Sequence, residues 1–248
     1  MANHDDSSWL ILRYEPTSLF SLRMTHATNK GGKTLLIPTP YAVKLALIDA
    51  CFRMYEGETA VAKARWVFDL IKGRQIRIGP PRDCVVQNTF IKIKQEERGA
   101  AKGIYAPTIA YREFCFYYGE LKIALAVDGL TDDEIDGLKK VAARVNYIGK
   151  RGSFMQFLGA EYHKGGLPKG YSCPESQADI VGGGYRATNY LDDFGEALVR
   201  DRDGFDRINT YSAKPSGLGT FRVLVPTLLP YRYSSSSRHY THFRCVGS

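Results

Sequence analysis

The residues Gly149-Lys150-Arg151-Gly152 set two cations between two glycines in one short turn. Glycine has no Cβ, so it adopts positive φ readily and lets a backbone N–H come close to a ligand. Successive amides in such a turn can form an anion-binding concavity. The two cations add charge-assisted hydrogen bonds to phosphate oxygens. The spacing is neither G-x-x-x-x-G-K-[ST] nor a helix-opening G-x-G-x-x-G, so it matches neither standard nucleotide loop. On these four residues alone, a phosphate-binding turn and a plain surface turn stand level.

Two further basic groups carry the same chemistry. Lys30-Gly31-Gly32-Lys33-Thr34 leads toward Tyr41 and Lys44 at the start of a predicted helix, and helix N-termini favour anions. For Lys44 the plainer reading is a solvated position on an otherwise apolar helix. The third group is Arg74, Arg77, Arg82, Lys92 and Lys94, with Phe90 and nearby tyrosines able to stack on unpaired bases. Its plainer reading is a half-buried hairpin with a solvated lysine face. The candidate RNA-binding set is therefore Lys30, Lys33, Tyr41, Lys44, Arg77, Arg82, Lys92, Lys94, Gly149, Lys150, Arg151 and Gly152.

Catalytic and metal chemistry find little support. No G-x-S-x-G or H-E-x-x-H signature is present. Asp132 and Asp133 read as helix N-terminal charges rather than a metal pair. The five cysteines include no C-x-x-C pair, and no histidine is spaced with them as a zinc set. Cys51 and Cys115 sit in apolar runs and read as small buried hydrophobes. No catalytic residue, metal or cofactor is assigned.

The 248 residues carry a net charge of +8 and a pI of about 9.2. That excess favours an anionic partner, nucleic acid above all. The opening MANHDDSSW is polar and acidic, unlike a secretory signal. No apolar run reaches the roughly 18 residues of a membrane span. A soluble, cytoplasmic protein with no membrane partner is expected.

Several elements must position these groups. WLILRY, residues 9–14, reads as a first strand. Residues 18–34 read as an exposed loop, and Leu35 to Ile37 as the end of an extended segment. Thr39 caps and Pro40 opens a helix to about Tyr55. A second helix over 59–72 presents Val61, Ala64, Phe68 and Ile71 on one face. CVVQNTFIKIK and IYAPTIAY form a hairpin excursion over about 77–108, with Ile91 and Ile93 on one face and Phe90, Lys92 and Lys94 on the other. Residues 111–127 read as a strand pair around Gly119-Glu120.

The clearest helix follows. Thr131 and Glu134 make a capping box, and Ile135, Leu138, Ala142 and Val145 make its buried stripe. A strand at Phe154–Leu158 comes next. Beyond 160 the chain is glycine- and proline-rich, with one or two helical turns within 191–208. TFRVLVPTLLPYRY, residues 220–233, is extended, but its prolines argue against a central strand. The tail SSSSRHYTHFR reads as mobile or partner-dependent.

The expected fold is α+β. A ferredoxin-like (RRM-like) core, β-α-β-β-α-β, carries a long β-hairpin thumb and an irregular C-terminal extension. Residues 1–160 form the core domain and 161–248 the extension, with late strand-like segments.

LLIPTPYAVKLALIDACF, residues 35–52, resembles the proline-containing segment and first helix of the Cas-five family. These are RAMP-type subunits of type I CRISPR surveillance complexes, known as Cascade. YREFCFYYGELKIALAV, the helix after it and YIGKRGSFMQF resemble the family's later β-α-β portion with its glycine-containing turn. The resemblance covers roughly residues 9–160 and rests on order and spacing. It implies a subunit that holds the 5′ handle of the crRNA beside a RAMP backbone subunit and the large subunit. It also implies contact with target DNA through the assembled complex, for antiviral defence. One branch of the family is a metal-independent endoribonuclease that processes precursor crRNA with a Tyr, a Lys and a His, the last two adjacent. Here the adjacent pair is His163-Lys164, reversed and after the core, so a non-catalytic subunit leads and the nuclease is the alternative.

Overall fold

The computed structural model describes residues 7–25, 32–97, 99, 103–177, 187–209, 212–214 and 216–246. Lys30 and Gly31 lie outside the described residues.

The first sheet is built from β1 (Ser8–Pro16), β2 (Ile76–Gly79), β5 (Leu121–Ala126) and β6 (Met155–Lys164), in the order β2-β5-β1-β6. All three pairings are antiparallel. Strand alternation sends Leu10, Leu12 and Tyr14 to one face, into the main core. It sends Trp9 and Ile11 to the other, where they meet Ala124 and Tyr171.

Helices α1 (Pro40–Met54), α2 (Gly57–Ile71) and α3 (Asp132–Ala142) contribute to the main core. Helix α1 opens as expected: the Thr39 hydroxyl accepts the Ala42 N–H and Pro40 takes the first helical position. Helix α3 has the full capping box, with Thr131 and Glu134 each satisfying the other's backbone. Ile135, Leu138, Ala142 and Val145 are all buried. On α2 the expected stripe is partly misplaced. Val61 is exposed, and Ala60 and Val67 join Ala64, Phe68 and Ile71 in the interior.

The second sheet runs β10-β11-β3-β4, from β10 (Tyr231–Ser236), β11 (Tyr240–Cys245), β3 (Asp83–Glu96) and β4 (Tyr105–Tyr118). The hairpin is real, but it spans 83–118 rather than 77–108, because β2 at Ile76–Gly79 belongs to the first sheet. Residues 111–127 are not a strand pair either. Gly119, at φ 104°, turns the chain from β4 in the second sheet into β5 in the first.

The tail is ordered by pairing with β3, from Tyr240 opposite Gln87 to Arg244 opposite Asp83. Residues 18–34 are not simply exposed: Phe20 and Thr34 are buried, and Phe20 bridges to Cys115.

A third sheet, β7-β9-β8, comprises β7 (Cys173–Pro174), β8 (Ala187–Phe194) and β9 (Arg222–Leu229). β9 is its central strand despite Pro226. The reason is length: β7 reaches only Leu228 and Thr227, so Pro226 has β8 alone beside it. The short helices Glu196–Arg200 and Gly204–Ile208 fall within the expected 191–208. Strand β6 crosses the expected boundary at 160. Leu191, Phe194, Leu198, Phe205, Leu229 and Tyr231 sit in the same core as β1 and α1. The C-terminal third is thus packed into the core and not an appendage.

Candidate nucleic-acid interface

The turn at 149–152 needs its glycines. Gly149 has φ 80° and Gly152 φ 104°, a backbone region that residues with a Cβ seldom adopt. The Ser153 N–H closes the turn on the Lys150 carbonyl at 3.0 Å. Ser18 clamps its far side, its hydroxyl donating to the Gly152 carbonyl at 2.7 Å. Lys150 and Arg151 project from this turn, exposed, and their side chains make no hydrogen bond or ion pair among the described residues.

Gly149, Lys150 and Arg151 of the turn line a groove of about 990 Å³, walled also by α1 and the segment before it. Leu22, Leu35, Leu45 and Ala46 give it apolar walls, and Tyr41 and Tyr147 supply flat rings. Its charged lining is Arg23, Arg112, Lys150, Arg151 and Arg222 against Asp49 and Asp192. Asp49 is already paired with Arg53, and Asp192 with Arg222 at 2.5 Å.

Arg222 also lies over the Tyr41 ring, 4.7 Å from its centroid, and Arg112 lies against the backbone of Gly32. A Cβ at residue 32 would come within 2.5 Å of the Arg112 Nη1. The Nε groups of Arg112 and Arg222 are buried without a hydrogen-bond partner. The groove therefore has flat rings, apolar walls and an excess of cations.

The other expected residues divide sharply. Tyr41 lines the groove, but Lys44, three residues on, does not reach solvent. It is 1% exposed and donates to Asp193 at 2.7 Å and to the Lys72 carbonyl at 3.3 Å. Burial lowers the Lys44 pKa and raises that of Asp193, and their mutual attraction opposes both shifts. Neither an RNA contact nor a solvated position describes it.

Arg77 is buried too, because β2 turns it toward the segment covering the second face of the first sheet. There it donates to the Ser172 carbonyl at 3.0 Å and to Gln177. Lys33 is exposed but bonded to Glu113 at 2.6 Å. Arg74 is used to bind the carbonyls of Leu70 and Asp128.

Arg82 sits at the base of the hairpin, beside Asp83 at 2.8 Å and over the Tyr118 ring. Lys92 and Lys94 are exposed on the outer hairpin with Phe90, on the face that also carries Tyr111 and Ile109. Of the described histidines, His163 meets the Gly166 carbonyl and His242 meets Asp83.

Sequence reading missed Arg112, Tyr147 and Arg222 altogether. Arg222 lies 71 residues after Arg151, in the expected C-terminal extension, and no local pattern announces its return to α1. Arg112 is read locally as one more residue of an alternating strand.

No family model matches the chain. Among solved structures, a CRISPR protein from Archaeoglobus fulgidus aligns over 97% of this chain and 92% of its own, at 11% identity and TM-score 0.46. A chain of the type III-B Cmr-beta complex bound to cognate target RNA aligns over 64% and 61%, at 9% identity and TM-score 0.46. In sequence, the chain is 24% identical over 148 residues to a CRISPR-associated protein Cas5 of Archaeoglobus fulgidus, which covers 59% of this chain. The match spans 61% of that relative's length. Through that stretch, this chain is a homologue of a CRISPR-associated Cas5 protein.

Proposed function

We propose that the chain is a guide-RNA-binding subunit of a CRISPR effector complex. In this reading the strand order β2-β5-β1-β6, with α1 and α3 against it, is a ferredoxin-like core. The β3–β4 hairpin is its thumb. The groove holds the 5′ handle of the crRNA, and the RAMP backbone and large subunits pack around it, bringing target DNA to the assembly. The Cas5 name of the homologue supports this reading. So does the basic charge of +8.

One observation carries it. Among the described residues Lys150 and Arg151 stand unpaired, on a turn whose glycines already account for its shape, in the lining of a groove with three more arginines. The turn needs its glycines, and the two cations bond nothing among the described residues, which supports a ligand for them. Phosphates would lie along Lys150 and Arg151, and a base would fit against Tyr41 or Tyr147.

The test is RNA retention by the purified complex. Lys150→Ala with Arg151→Ala should weaken retention and flatten its salt dependence. The drop in slope should be about 1.4, at roughly 0.7 per lost phosphate contact on a single strand. Unchanged retention and slope would remove the groove as the handle site.

A further inference from the structure

The second sheet has an open face that the groove reaches only at Arg112. Along β4, Arg112, Phe114, Phe116 and Tyr118 alternate onto one side, while Cys115 and Tyr117 point into the core. Phe116 is 51% and Tyr118 57% exposed. The register then sets Asp83 opposite both Tyr118 and Arg244, and Arg232 opposite Arg244. Arg82 lies over the Tyr118 ring, 4.6 Å from its centroid.

The charge on this face is unbalanced. Asp83 is shared by three donors: Arg82 and His242 at 2.8 Å, and Arg244 at 2.9 Å. Arg232 makes no hydrogen bond or ion pair among the described residues. It stands directly across from Arg244, a like-charge placement that destabilises a sheet. A phosphate between the two arginines would remove that repulsion. The exposed rings select among anions, because flat faces stack on unpaired bases and a duplex hides its own.

We propose that this open face binds single-stranded RNA, with bases on Phe116 and Tyr118 and phosphates at Arg232 and Arg244. Arg112 lines the groove and shares the face of β4 with these rings. The two surfaces therefore meet on one strand. From Arg112 to Tyr118 the strand runs about 20 Å, at roughly 3.3 Å per residue. The inference rests on the guide-RNA reading only for the choice of RNA; the surface itself is read from the sheet.

The experiment measures anisotropy of a labelled short oligouridylate with the full chain. Phe116→Ala with Tyr118→Ala should weaken binding about thirtyfold or more, for the loss of two stacked bases. Arg232→Ala should lower the salt slope by about 0.7. All three side chains are exposed, so thermal midpoints should stay near the parent's.

If these variants keep parental affinity and slope while the Lys150 and Arg151 alanines lose binding, the open face is overturned and the groove stands. The reverse pattern removes the groove and keeps the face. Photocrosslinking of 4-thiouridine RNA to the unsubstituted chain gives a check that needs no variant. Adducts at Phe116 or Tyr118 are expected, and adducts confined to the groove overturn the proposal. Variants that keep RNA affinity but lose a protein neighbour in the assembled complex overturn it as well.

Discussion

Lys44 and Lys150 present the same side chain in opposite settings. Lys44 sits inside, bonded to Asp193 and to the Lys72 carbonyl. Lys150 stands outside with no acid bonded to it among the described residues. Removing the first breaks an ion pair that the interior depends on. Removing the second breaks no hydrogen bond or ion pair among the described residues. A cation that the fold does not need is the better candidate for a ligand, and this criterion separates Lys150 and Arg151 from Lys44 and Arg77.

Five variants test the contrast, from the largest effect down. Lys44→Ala should destabilise the chain by about 3 kcal/mol in urea unfolding, because it leaves Asp193 without its partner. Lys44→Met with Asp193→Leu should recover most of that loss; no recovery would mean that packing rather than charge matters there. Gly149→Ala should cost about 1–2 kcal/mol for its left-handed backbone, and the added Cβ would also crowd Leu22 at 3.3 Å. Thr131→Ala should cost about 1 kcal/mol by removing the capping box. Lys150→Ala with Arg151→Ala should shift stability by less than about 0.5 kcal/mol. A larger loss would show that these cations serve the fold after all.

Acid adds a test at the hairpin base. Burial pushes Asp83 up, but hydrogen bonds from Arg82, Arg244 and His242 outweigh it and hold the carboxyl at about 2. A depressed folded-state pKa stabilises the chain above the unfolded value of about 3.9. That contribution should fade as pH falls from about 4 through 2. Asp83→Asn should flatten the stability profile over this window, and an unchanged slope there would assign the acid sensitivity elsewhere.

The helices were legible in the sequence because their signals are local. Thr39-Pro40 and Thr131–Glu134 write their own ends, and Ile135, Leu138, Ala142 and Val145 write a face. The hairpin was legible as two alternating runs, but its bounds were not. Whether Ile76–Gly79 pairs with β3 or with β5 is decided by partners far along the chain. The candidate site was half legible. Gly149 to Gly152 announce a turn with spare charge. Arg112 and Arg222 join it only through tertiary placement, which no spacing records. Lys44 misled for the converse reason: its partner, Asp193, lies 149 residues away.

The pairing of β11 with β3 bears on how the chain is made. Arg244 meets Asp83 across 161 residues, so during synthesis the hairpin is complete long before its neighbour exists. Until then one edge of β3 offers unpaired N–H and C=O groups to any strand nearby. Pairings at such separation also form slowly. A ribosome-bound intermediate with β3 uncovered is the state in which this protein should be most prone to aggregate, and shielding of that edge is where a chaperone would act.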